Sequence, residues 1–190
     1  MKKLLGLIIL TTVIASGCTT TGIQKENTGE KTNSTVIEVT DGDTIDLQLG
    51  ETKETIRLLG VDTPEVHVEN TPRDFENIPD NPRGRECLRK WGQKASNYAE
   101  KELSGQKIIF QKDPRSDVRG SYGRLLGYIK KDGENFNYEL VEKGYARVYT
   151  SGFTQQKRFL EAENEAQNEL RGLWQCRSYE IENITVQEEE

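Results

Sequence analysis

Hydrophobic and polar positions change their period several times along the chain, and each change predicts a new element. Apolar and polar residues alternate cleanly from 44 to 49, as on a half-buried strand. Between 86 and 103 the apolar residues recur three or four positions apart, which is typical of an amphipathic helix. The whole pattern predicts strands at 35–40, 44–49, 55–61, 107–111 and 125–130, and helices at 86–103, 137–143 and 155–170.

Five strands with a helix between the third and the fourth is the element order of an OB-type barrel. We therefore expect an α+β fold: a five-stranded OB-type β-barrel with about three helices. Gly42 is expected to take a positive φ in the first turn, and Asp132-Gly133 is a strong hairpin signal. Asn137 is predicted to cap the short helix, and Leu170 to face inward at the end of the last one.

The N-terminus has the layout of a secretory signal. Two lysines precede about a dozen mostly apolar residues, a run too short for a relaxed membrane span. Ala15-Ser16-Gly17-Cys18 follows and resembles the prokaryotic lipobox, although leucine is usual at the position of Ala15. The resemblance implies that Cys18 is lipidated and becomes the mature N-terminus; the alternative is plain secretion.

Composition divides the rest of the chain. Residues 18–34 are almost free of apolar side chains and predict a flexible tether after the signal peptide, 1–17. A single domain, 35–178, is long enough to bury a core. The end, 179–190, is rich in glutamate and predicts a disordered acidic tail.

Two cysteines remain if Cys18 carries lipid. Cys87 and Cys176 would face an oxidising compartment, where a disulfide between them is favoured. The alternative is two unlinked thiols, because the sequence does not show whether the two Cα atoms come close enough.

Charge is distributed unevenly. The net charge of −6 is unusual for a protein that binds nucleic acid, but 83–131 holds thirteen Lys/Arg and only five Asp/Glu. Such a basic segment attracts polyanions, although charge runs are more often solvated faces. The acidic tail offsets this local positive charge in the net charge of the whole chain.

Candidate chemistry gathers around the second and third strands. Asp43, Asp62 and Glu65 lie at or just past strand ends, and Arg57 interrupts an apolar strand. Hard oxygen ligands suit Ca²⁺ or Mg²⁺, and an arginine beside them suits a phosphate. The pattern predicts a metal-dependent phosphodiester hydrolase; the alternative for any one of these acids is a turn-shaping role.

Several motifs together resemble the staphylococcal nuclease (thermonuclease) family over about 35–175. They are Asp41-Gly-Asp-Thr44, Arg57-Leu-Leu, Val61-Asp-Thr-Pro-Glu65, Trp91-Gly92 and Tyr122-Gly-Arg124. The resemblance implies Ca²⁺-dependent hydrolysis of DNA and RNA.

The same resemblance implies a role for each matching residue. Asp43, Asp62 and the Thr63 carbonyl would bind calcium, and Glu65 would orient or deprotonate the attacking water. Arg57 and Arg124 would hold the phosphate. Tyr122 and the partly matched Tyr149 would contact the nucleotide.

The chain departs from the family pattern in three places that affect substrate preference. No acidic residue stands two places ahead of Tyr122, only Tyr149 matches the tyrosines expected after Ala146, and the loop 66–83 is long. We expect an exported, monomeric enzyme anchored to a membrane through lipid on Cys18. The alternative is an OB-fold module that binds nucleic acid or a protein without cleaving it.

Overall fold

The computed structural model describes residues 29–180. The signal peptide, Cys18, most of the tether and the tail beyond 180 lie outside these residues. The strands are β1 (Lys31–Val39), β2 (Thr44–Leu49), β3 (Thr52–Leu58), β4 (Val61–Asp62), β5 (Lys107–Gln111), β6 (Leu125–Lys131), β7 (Glu134–Asn135) and β8 (Arg147–Val148). The helices are α1 (Pro82–Leu103), α2 (Phe136–Glu142) and α3 (Gln156–Asn168), with 3₁₀ turns at Pro72–Asp74 and Gly172–Glu180.

Five strands close into a barrel. The order β3-β2-β1-β5-β6 is antiparallel between neighbours, and a parallel pairing of β3 with β6 joins the two edges. The apolar face of each strand fills the interior, where Ile45, Leu47, Ile56 and Phe110 are buried. The predicted OB-type α+β fold is confirmed. Over residues 29–180, no helix is both long and apolar enough to span a membrane.

The barrel begins earlier than predicted. β1 starts at Lys31, and Lys31 to Thr35 pair with β5 from Gln111 back to Lys107. The Ser34 hydroxyl also donates to the Gln48 carbonyl at 2.8 Å. Residues 31–34 are therefore part of the barrel and not of the tether, because backbone pairing orders them despite their polar side chains.

Two predictions about helix ends were wrong. Asn135, not Asn137, caps α2, and its side chain accepts from the Tyr138 N–H at 3.4 Å. Asn137 is buried, and its amide accepts from Ile129 N–H and donates to the Leu59 carbonyl. Leu170 lies beyond the end of α3 with a positive φ and is exposed, so it does not face the core.

The loop 66–83 is more ordered than its proline content suggests. Helix α1 starts at Pro82 and is capped by the Asn81 side chain, so residues 82 and 83 belong to the helix and not to the loop. Phe75 and Ile78 from the same loop are buried in a second apolar cluster with Leu88, Ala166, Leu173 and Trp174.

A disulfide between Cys87 and Cys176 lies within that second cluster. The S–S distance is 2.02 Å and the Cα atoms are 5.7 Å apart. The bond links α1 to the final 3₁₀ turn. The disulfide that the sequence favoured over two unlinked thiols is therefore present.

Candidate active site

The turn between β1 and β2 presents Asp43 to the turn that follows β4. One carboxylate oxygen, Oδ2, accepts from the Thr63 N–H at 2.7 Å and from the Thr63 hydroxyl at 3.0 Å. Gly42 packs here without a positive φ. A Cβ on Gly42 would lie 2.8 Å from the Thr63 side chain and 2.9 Å from Ala95, so glycine is needed for space rather than for φ.

Arg57 joins the two aspartates. Its Nη1 contacts Asp43 Oδ1, and its Nη2 donates to Asp62 Oδ1 at 2.6 Å. Burial lowers the pKa of Arg57; the charges of Asp62 and Asp41 act against this, while the nearby Arg124 lowers it further. An arginine inside an apolar strand is thus explained by paired carboxylates at the end of the barrel.

Arg124 reaches the same cluster from the loop before β6. Its Nη1 donates to the Thr44 hydroxyl at 3.2 Å, and that hydroxyl donates to Asp43 Oδ1 at 3.2 Å. The guanidinium carbon lies 5.5 Å from the ring centroid of Tyr122, whose side chain is 85% exposed. Thr44 is a link that the sequence analysis did not single out.

Glu65 is exposed, while its backbone is held firmly. Its N–H donates to Asn70 Oδ1 at 2.7 Å, and Asn70 Nδ2 donates back to the Glu65 carbonyl at 2.8 Å. Helix α1 packs under this turn at Gly92, where a Cβ would come within 2.3 Å of the Pro64 carbonyl oxygen. The sequence predicted no role for Asn70, since nothing local marks an asparagine in a long loop.

A third arginine lies at the site. β4 and β8 are antiparallel with Asp62 opposite Arg147. The Nε and Nη2 atoms of Arg147 lie 2.9 and 2.8 Å from Asp62 Oδ2. Tyr149 is beside it, half exposed, with its ring centroid 6.0 Å from the Arg147 guanidinium carbon. Asp62 is therefore held between two guanidinium groups, one on each oxygen.

The donor set fits a hard divalent cation. Two carboxylates, from Asp43 and Asp62, both contact the positively charged Arg57, so one oxygen of each faces a common positive charge. The Thr63 carbonyl lies in the same turn. Within residues 29–180 no cluster of three or more His, Cys, Asp or Glu side chains is arranged to hold a metal. Calcium tolerates such a set because carbonyls and water complete its oxygen shell.

The structure thus brings Asp43, Arg57, Asp62 and Arg124 together at one end of the barrel, with Glu65 on the adjoining turn. Carboxylates and guanidinium groups side by side are the chemistry expected of a site that holds a cation and a phosphate together. The family model described as "Staphylococcal nuclease homologue" matches residues 55–176. The chain belongs to the staphylococcal nuclease family.

Individual relatives agree with this assignment. An uncharacterised protein of Methanocaldococcus jannaschii is 41% identical over 144 residues, covering 73% of this chain and 70% of the relative. The thermonuclease of Staphylococcus hyicus is 32% identical over 150 residues, covering 78% of each chain. The endonuclease YncB of Bacillus subtilis is 29% identical over 157 residues, covering 81% of this chain and 67% of the relative.

Proposed function

We propose that this protein is a calcium-dependent phosphodiesterase that cleaves DNA and RNA outside the cytoplasm. The observation that carries the proposal is the bridging of Asp43 and Asp62 by Arg57, with Arg124 linked to Asp43 through Thr44. Relatives named thermonuclease and endonuclease support the reaction class.

Asp43, Asp62 and the Thr63 carbonyl would hold the calcium ion, which supplies positive charge for the phosphate and an acidified water. Arg57 and Arg124 bind phosphate oxygens, because the planar guanidinium matches two oxygens at once. Their charge stabilises the negative charge that develops during the attack on phosphorus.

Glu65 is the general base of the proposed reaction. Its exposed carboxylate is free to accept a proton from a water beside the phosphate, while Asn70 fixes its backbone. Tyr122 and Tyr149 offer exposed rings to the substrate on the Arg124 and Arg147 sides respectively. Stacking on such rings tolerates any base, which fits a substrate range that includes DNA and RNA.

Location outside the cytoplasm is supported by the disulfide, since such bonds persist in oxidising compartments. The proposed lipid anchor on Cys18 lies outside the described residues. Cells expressing the full chain and Cys18→Ala should be fractionated. The native chain is expected with membranes and the variant in the exported soluble fraction; a cytoplasmic native chain would contradict export.

Cleavage and binding are separated by one assay. Purified domain is incubated with plasmid DNA and with RNA, in Ca²⁺ and in Ca²⁺ plus excess chelator, and binding is followed by mobility shift. We expect chelator-sensitive cleavage of both substrates by a protein that elutes as a monomer. Binding without cleavage would instead favour the non-catalytic OB-fold module.

A further inference from the structure

We propose that the charge of Arg147 sets the balance between metal and substrate binding: it weakens binding of the cation at Asp62 and strengthens binding of the polyanion. The inference rests on the proposed function. It assigns Arg147 a positioning and electrostatic role, rather than contact with the reacting atoms.

Backbone pairing fixes the contact between these residues. Arg147 and Asp62 are direct cross-strand partners in β8 and β4, so their side chains leave the sheet together. Both Nε and Nη2 of Arg147 lie within 3 Å of the same oxygen, Oδ2, at 2.9 and 2.8 Å. Arg57 occupies the other oxygen, Oδ1.

Neighbours on two sides keep Arg147 in place. Its guanidinium carbon is 5.4 Å from the ring centroid of Phe75, which is buried in the second apolar cluster, and 6.0 Å from that of Tyr149. The next residue, Val148, donates its N–H to Glu163 Oε1 at 2.7 Å. The fold therefore holds the positive charge of Arg147 at a fixed position, where it would repel a cation bound at Asp62.

The charges around the site determine the sign of the effect. Arg57 contacts both Asp43 and Asp62, Arg147 contacts Asp62, and Arg124 donates to Thr44 beside Asp43. A divalent cation that takes Asp62 is repelled by Arg147, and the same charge attracts a phosphate chain. Removing the charge of Arg147 should therefore strengthen cation binding and weaken substrate binding. The loss of a supporting contact would do the opposite at the metal, because such a loss normally weakens a metal site.

The test measures Ca²⁺ binding by calorimetry on the whole domain without nucleic acid, and cleavage kinetics separately. The variants are Arg147→Gln, which keeps an N–H toward Asp62, Arg147→Met, which keeps only the stem, and Arg147→Lys, which keeps the charge. Arg158→Met is the matched control, because Arg158 stacks on Tyr138 of α2, and no contact of Arg158 with the site is found within residues 29–180. Melting temperatures without metal verify folding.

We expect Arg147→Gln and Arg147→Met to bind Ca²⁺ about tenfold more tightly at low salt, with a smaller difference at high salt. The KM for DNA should rise in both, and Arg147→Lys and Arg158→Met should resemble the native chain. Weaker or unchanged Ca²⁺ binding in folded Arg147→Gln overturns the inference. If the native chain binds no Ca²⁺ at all, the proposed calcium site falls and the inference with it. If the native chain binds Ca²⁺, Asp43→Asn abolishes that binding and the Arg147 variants leave it unchanged, the calcium site stands and only the inference about Arg147 is refuted.

Discussion

Asn70 holds Glu65 by both backbone groups, at 2.7 Å from the Glu65 nitrogen and 2.8 Å from its carbonyl oxygen. The asparagine is 5% exposed and lies in the loop 66–83, whereas the glutamate side chain is exposed. The proposed base is thus carried on a turn whose backbone has little freedom. Through Asn70, the loop 66–83 thereby supports the candidate site.

Replacing Asn70 with alanine should lower kcat by about 10- to 100-fold, because a small displacement of a base is costly and two backbone groups lose their partners. Ca²⁺ affinity should change little, since within residues 29–180 no hydrogen bond joins Asn70 to Asp43 or Asp62. Steady-state cleavage and calorimetry measure the two effects. The control is Asn164→Ala, at an exposed position of α3. Equal kcat values in the two variants would contradict this role of Asn70.

Glu65→Gln and Arg124→Gly should each lose about 10²-fold or more of kcat, the scale of removing one charge-stabilising or proton-accepting group. Both residues are at least partly exposed, so folding should persist. Circular dichroism measures folding, and the plasmid assay measures cleavage. Glu161→Gln, at an exposed position of α3, should cleave normally. Native turnover in either site variant would show that its role is misassigned.

Loss of the Cys87–Cys176 bond should destabilise the domain. The bond closes a loop with a sequence separation of 89 residues. A loop of that size corresponds to about 4–5 kcal/mol in the chain-entropy description, or a fall in Tm of roughly 10 °C or more. Thermal melts with and without reductant, and of the Cys87→Ala/Cys176→Ala double variant, measure this. An unchanged melt on full reduction would contradict it.

Glu163 should make stability depend on pH. Burial raises its pKa, and the charge of Glu76 adds to this, whereas the Val148 N–H, Arg147 and Arg177 lower it. A raised carboxyl pKa favours folding in the protonated form, so this contribution is present in acid and lost as the pH rises through the folded pKa.

The corresponding variant is Glu163→Gln, which keeps an acceptor for the Val148 N–H and does not ionise. Its Tm relative to the native chain should rise between pH 4 and pH 8. Glu161→Gln provides the baseline for removing a charge from the same helix. A difference from the native chain that is constant over this range would exclude ionisation of Glu163 as the cause.

The sequence predicted best the elements whose structure depends on residues close together in the chain. Strict alternation predicted β2 at its observed bounds, because each inward residue of that strand faces the barrel core. The motif residues Asp43, Arg57, Asp62 and Arg124 converge. The strand positions predicted this for the first three, and only the family resemblance predicted it for Arg124. Their chemical roles remain predictions.

What the sequence missed depends on pairing between distant segments. Asn137 has the local look of a helix cap, but tertiary contacts with Leu59 and Ile129 decide its place. Arg147 meets Asp62 only because β8 returns to β4 across 85 positions. Nothing in the residues next to Arg147 marks that pairing.

The central claim is that Asp43, Asp62, Glu65, Arg57 and Arg124 form one calcium-dependent site for phosphodiester cleavage. The most direct measurement is the cleavage rate of a single DNA substrate as Ca²⁺ is raised and then removed by chelator, for the native chain and Asp43→Asn. The account predicts cleavage that rises with Ca²⁺ and stops on chelation, with Asp43→Asn needing far more metal. Cleavage that persists in chelator, or the same Ca²⁺ dependence in Asp43→Asn, would contradict it.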